Sequence, residues 1–359
     1  MKTLELSRQN GLICDVTGLQ RDHEFIEILL MFTPHLRTLV VADRASWPDG
    51  EYWFRTIANN PARFMHLRSI NIHGPLSVEA IAYLFLLPSL RDLIASDLIL
   101  PRRTSSKHVW DKEIPLRTVL DPGSSQIEKI TLKRSVVEVP TLKYFTEACR
   151  ELKSFAYEQD INNDQRSMYP QSLLATFGGL SAAFILNRTT LEHLSIRGDH
   201  QMLHQEHVLQ LARLASSMSN LRSLDMGLIT HDDDPIQCTS DFVAKMVRLL
   251  PATLEEMSFE IDWQEHWGAK GWEGPTEMLH CLADIAPSKL SLKRVSVVDW
   301  PPFLGHFPPD FAQLHRYFAE QKIDFISIPA NIEGPDPLQL LDFVEPGWVF
   351  VQVSAAEYA

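Results

Sequence analysis

Polar residues that could do chemistry together recur on three neighbouring segments of the chain. They are His193, Ser195 and Arg197 in LEHLSIRG, Asp225 in LRSLDMGL, and Glu256 and Glu260 in LEEMSFEI. If these segments are β-strands lying side by side, residues at alternate positions project from one face. A carboxylate beside a guanidinium, a hydroxyl and an imidazole could grip a polar ligand or move a proton. The loop after the third segment adds Asp262, Trp263 and Trp267, and the segment after that ends in Trp300. Indole rings beside acids could wall a space for an apolar ligand, or meet a protein surface. A hydrolytic triad of Ser195, His193 and Asp225 is not expected. Ser195 and His193 are two residues apart on one strand, which sets their Cα atoms roughly 6–7 Å apart.

Other chemistries lack their motifs. The chain has no Gly-rich phosphate loop, GxSxG elbow, HExxH or paired CxxC, so neither a cofactor nor a metal is expected. His200, His204 and His207 would share a helix face, and His231-Asp232-Asp233-Asp234 gathers acids, but each reads more simply as solvated surface. Cys14, Cys149, Cys238 and Cys281 lie far apart, the pattern of a reduced cytoplasmic or nuclear protein. The opening MKTLELSRQNGLICD holds no signal-peptide core, and the apolar stretch 80–87 is too short to span a bilayer. No membrane role is expected.

Charge is unevenly divided. The net charge is −13; residues 1–180 hold 21 basic and 21 acidic side chains, and residues 181–359 hold 12 and 25. An acidic C-terminal half repels phosphate backbones, which argues against nucleic acid and suits a basic or amine-bearing partner.

The elements that must position these residues are legible as a repeat. LRTLVVAD from Leu36, LRSINIHG from Leu67, LRDLIASD from Leu90, IEKITLKR from Ile127 and LKSFAYEQ from Leu152 share apolar residues at positions one, four and six. LEHLSIRG from Leu191, LRSLDMGL from Leu221, LEEMSFEI from Leu254, LKRVSVVD from Leu292 and IDFISIPA from Ile323 repeat the pattern. The spacing averages about 32 residues, room for one strand and one helix. Helices are expected between strands, near 78–87, 140–149, 170–187, 204–218, 240–250, 275–285 and 309–320, so the strands should run parallel. Positions two, three, five and seven would form the open face. Its second-position row runs Arg37, Arg68, Arg91, Glu128, Lys153, Glu192, Arg222, Glu255, Lys293. The alternating tail 347–353 should be a strand that closes the C-terminal edge.

The LxxLxL segments with intervening helices resemble a leucine-rich repeat protein, and the irregular repeat length resembles the fungal F-box-associated members of that family. The resemblance implies an α/β leucine-rich-repeat-like solenoid of about 10–11 irregular repeats. It would form one domain over 1–359, with an N-terminal repeat or cap in 1–35, repeats in 36–330 and a C-terminal cap in 331–359. The ninth position departs from the family's Asn or Cys, being Arg44, Pro75, Asp199, Ile229, Asp262 or Trp300. No F-box precedes the first strand, so recruitment to a ubiquitin ligase is not implied.

Two functions are expected to compete. One is a non-enzymatic scaffold that binds a protein or peptide on the open face and strand-exit loops. The other is a small-molecule protein, or an isomerase- or cyclase-type enzyme of fungal specialised metabolism needing no cofactor. It would hold an apolar substrate in a Trp-lined pocket in the C-terminal half.

Overall fold

The computed structural model describes residues 12–13, 36–43, 54, 57, 59–77, 81–99, 120–159, 177–197, 205–227, 240–260, 273–300, 311–329 and 349–355. Among the described residues, twelve strands form one sheet. They are β1 (Leu12–Ile13), β2 (Leu36–Asp43), β3 (Ser69–Ser77), β4 (Asp92–Ile99), β5 (Lys129–Lys133), β6 (Ser154–Glu158) and β7 (His193–Arg197). The rest are β8 (Ser223–Gly227), β9 (Glu256–Glu260), β10 (Arg294–Trp300), β11 (Asp324–Pro329) and β12 (Val349–Ala355). From β2 to β11 the ten strands are parallel and lie in chain order.

Most of these strands begin two residues after the leading Leu or Ile of each repeat, and a backbone arrangement explains the offset. The carbonyl at position two receives the amides of positions two and three of the next repeat. Lys153 O, for example, accepts from Glu192 N at 2.8 Å and His193 N at 3.0 Å. The leading residue itself, as in Leu67, Leu191 and Leu254, is fully buried at the turn into the strand. Positions four and six then point to the helical side. Leu194 with Ile196, Leu224 with Met226, and Met257 with Phe259 are all buried there.

The helices that cover this side are α1 (Val139–Ala148), α2 (Phe177–Ala183), α3 (Gln205–Ser216), α4 (Ser240–Leu249), α5 (Glu273–Ile285) and α6 (Phe311–Glu320). Pro140 sits in the first turn of α1, where its missing N–H breaks no helical bond. Apolar residues of helices and strands merge into one buried cluster, tied by ring contacts such as Phe155 against Phe184 at 4.9 Å. Gly74, at φ 142°, lies where the β3–β4 register shifts between His73 and Leu76, a backbone conformation open to glycine alone.

The sheet corrects the expected leucine-rich-repeat-like solenoid. Such a stack grows in one direction and keeps its first and last strands as separate edges. Here the final strand of the chain, β12, does not close the C-terminal edge beside β11. It returns to the opposite end of the sheet and pairs antiparallel with β2, from Val349 opposite Asp43 to Ala355 opposite Leu36, with β1 antiparallel beyond it. The spacing of apolar residues reports which side of each strand is buried. It carries no information about how the ends of a sheet are joined.

Candidate functional site

The face away from the helices carries positions three, five and seven in rows across the strands. In the fifth-position row, Ser195 on β7 lies opposite Asp225 on β8, and Asp225 opposite Ser258 on β9. Ser195 Oγ donates to Asp225 Oδ2 at 2.8 Å. Arg197 donates to the same oxygen through Nε at 3.1 Å and Nη2 at 3.0 Å. Both partners of this ion pair are largely withdrawn from water, with side-chain exposures of 24% for Arg197 and 20% for Asp225. The other carboxylate oxygen, Asp225 Oδ1, is shielded from bulk water and accepts no hydrogen bond. One oxygen is therefore saturated and the other vacant.

Small residues flank this group. Ala156, Ser195, Ser258 and Ser296 occupy the same row and are half-buried, so no long side chain rises beside Asp225 within it. The negative charge of Asp225 is balanced by Arg197. The arrangement thus suits a ligand that donates a hydrogen bond without bringing a charge of its own.

The remaining expected residues are dispersed. Glu256 belongs to the third-position row and pairs with Arg294 at 3.1 Å, which also reaches Asp324 at 3.5 Å. His193 lies in that row, exposed, between Ser154 and Ser223. Glu260 ends β9 and Trp300 ends β10 opposite Pro329. Asp262, Trp263 and Trp267 lie outside the described residues, as do His200, His204 and His231. The structure therefore unites Ser195, Arg197 and Asp225 and assigns Glu256 to a separate pair.

The second-position row is largely self-satisfied from β5 onward. Lys153 bonds Glu128 at 2.7 Å, and that bond raises the ammonium above its usual range. Lys293 bonds Glu255 at 2.9 Å, and that bond lowers the carboxyl. These groups hold each other across strands rather than waiting for a ligand.

Some polar features escaped the sequence reading. Asp97 and Arg134, both in left-handed backbone with φ of 62° and 44°, form a two-pronged pair at 3.1 and 3.2 Å. They occupy position eight of their repeats, Asp97 within β4 and Arg134 directly after the end of β5. Asn71, Asp92 and Ser96 carry shielded polar atoms without hydrogen bonds. Among the described residues no group of three or more His, Cys, Asp or Glu could hold a metal ion. No described helix is long and apolar enough to cross a membrane.

No family model matches the chain, and no curated protein matches it. Solved structures similar to part of it include a 3-keto-D-glucoside 4-epimerase from E. coli, at 12% identity and a TM-score of 0.26, covering 60% of this chain and 86% of that one. A sugar phosphate isomerase/epimerase from Parabacteroides distasonis shows 10% identity and a TM-score of 0.26, covering 84% of this chain and 92% of its own. A second structure of that description from the same organism gives 10%, 0.26, 83% and 92%. None of the three is a leucine-rich repeat protein. The resemblance drawn from the LxxLxL spacing is corrected by the strand order, in which β12 returns to pair with β2, and the protein-binding role attached to it loses that support. A TM-score of 0.26 lies below that of a shared fold, so what these enzymes act on stays with them.

Proposed function

We propose that the chain binds a small hydroxylated molecule on the open face of its sheet and acts on it as an isomerase-type enzyme, with Asp225 accepting the proton. The observation that carries this reading is the division of labour within one carboxylate. Ser195 and Arg197 fix Oδ2, which orients the group. Oδ1 has no protein donor, which leaves it as the carboxylate oxygen with room to take a hydrogen bond from a ligand. Shifting a proton between neighbouring carbons requires one such base, close contact at about 2.6–3.2 Å, and a place for the substrate. The small side chains of Ala156, Ser258 and Ser296 supply that place. The proposal rests on Asp225 and not on the similar structures.

Ligand-observed NMR with glucose, fructose and inositol as probes tests the binding step. At least one probe should show saturation transfer with the native chain and lose it in Asp225→Asn, with both proteins folded by circular dichroism. Equal signals for the two proteins, or none with the native chain, would contradict the proposal.

A further inference from the structure

The second-position row changes character toward its β2 end. From β5 onward, acids and bases hold one another, as Lys153 holds Glu128 and Lys293 holds Glu255. Across β2, β3 and β4 the row runs Arg37, Arg68, Arg91, three guanidiniums in succession. Their backbones are joined, with Arg68 N donating to Arg37 O at 2.8 Å and Arg91 N to Arg68 O at 2.9 Å. Arg37 and Arg68 are exposed, and among the described residues neither has an ion-pair partner. Glu128, the next member of the row, is shared between Arg91 at 3.7 Å and Lys153 at 2.7 Å. Asp92 lies opposite Lys129, which offsets its charge. On the other side of Arg37, β12 brings only Ser354 and Ala355, which carry no charge.

The same end of the sheet exposes large apolar side chains. Met65, in the turn that enters β3, is 58% exposed, and Leu86, in the 3-10 turn Tyr83–Leu86 ahead of β4, is 42% exposed. The two turns are tied together, because Ser89 Oγ donates to Phe64 O at 2.7 Å, one residue from Met65. Arg91 folds back onto the same place, donating through Nη1 to Pro88 O at 3.1 Å and to Leu90 O at 2.9 Å. Guanidiniums and apolar groups therefore share the strand-entry rim of β2, β3 and β4.

We propose that this rim is a docking surface for a short acidic peptide segment of another protein, whose carboxylates meet Arg37 and Arg68 and whose apolar side chains cover Met65 and Leu86. A guanidinium grips a carboxylate through two parallel hydrogen bonds, so each free arginine offers one such place. In an extended segment, side chains on one side recur about every 6.5–7 Å, within reach of arginines on neighbouring strands. The rest of the molecule limits the partner's size. At a net charge of −13 it repels an anionic bilayer or a nucleic acid, which extend past the rim, whereas a short segment meets the rim alone. A bare polyanion would also leave Met65 and Leu86 uncovered. The rim is at least four strands from Asp225, roughly 19 Å at about 4.8 Å per strand, and stands independently of the proton-transfer reading.

The test is fluorescence anisotropy of the full-length chain with a fluorescein-labelled peptide of alternating Glu and Leu. Comparison probes are the same peptide with Gln for Glu, phosphatidylserine vesicles and a short DNA duplex. The acidic peptide should bind, and its affinity should fall as salt rises from about 0.05 to 0.3 M. Arg37→Glu and Arg68→Glu, each folded by circular dichroism, should lower that affinity at least tenfold. The double variant Met65→Ser, Leu86→Ser should lower it several-fold, and Lys245→Glu, on the exposed side of α4, should leave it unchanged. No binding of the acidic peptide, equal binding of the Gln peptide, tighter binding to vesicles or DNA, or undiminished binding by Arg37→Glu and Arg68→Glu would overturn the proposal.

Discussion

Arg197 and Asp225, on adjacent parallel strands, meet at a single oxygen: two guanidinium nitrogens approach Oδ2 at 3.0–3.1 Å while Oδ1 receives nothing. The hydroxyl of Ser195 adds a third bond to the same atom. Removing the guanidinium would leave a largely buried carboxylate held by the serine alone. Arg197→Ala should therefore lower unfolding stability by about 1–3 kcal/mol in urea melts, and Ser195→Ala by about 1 kcal/mol. If Arg197→Ala proved the milder of the two, the ion pair would not be what orients Asp225.

The return of β12 to β2 covers a strand edge that would otherwise offer its backbone to other chains. A chain ending at residue 345 should aggregate in a concentration-dependent way, measured by light scattering. A monodisperse truncated protein would show that the β2 edge needs no cover.

How much of this was legible follows from what a spacing can encode. Apolar residues at positions one, four and six located the parallel strands from β2 to β10, because Leu194 and Ile196, or Leu224 and Met226, must be buried together; in the last repeat the register is one residue off, with Phe325 rather than Ile326 in the buried place opposite Val295. The same logic placed Ser195 opposite Asp225 and Arg197 on their side of the sheet. It also implied a family, wrongly, because alternation on a strand is common to any sheet covered by helices on one side. The tail was legible as a strand but not as a partner of β2, since pairing depends on where the chain ends meet in space. Glu256 looked like part of the floor because the sequence does not say that Arg294 stands beside it. Asn71 and Ser96 were visible in their rows but not as unpartnered atoms, a property set by everything packed around them.

Asp92 gives the acid range a defined slope. Burial raises its folded-state pKa above the ordinary 3.8. The folded chain then holds this proton more tightly than the unfolded chain. Its contribution is favourable at low pH and declines as pH rises from about 3.8 through the folded value. Asp92→Asn should flatten that decline in denaturant melts between pH 3 and 7, and be the more stable protein near neutrality. A steeper decline in the variant would reverse the sign of the effect.

Cys149 and Tyr157 report on the core. Burial drives the Cys149 thiol far above its usual range, so the native protein should resist alkylation there by iodoacetamide at pH 8 and become reactive in urea, followed by mass spectrometry. Tyr157 donates to Ser135 O at 3.1 Å and lies 3.4 Å from Val137 N, which donates to it. Tyr157→Phe removes both bonds and should cost about 1–2 kcal/mol of stability. Rapid native labelling of Cys149, or an unchanged Tyr157→Phe melt, would mean the region opens readily.

The role given to Asp225 is tested most directly by isotope exchange. Native protein in D₂O with the hydroxylated probes should place solvent deuterium on a substrate carbon, read by mass spectrometry. Asp225→Asn should slow that incorporation by about 10²–10⁴-fold, the usual worth of a general base. Incorporation at an equal rate in the variant, or its complete absence with native protein across the probes, would contradict the account.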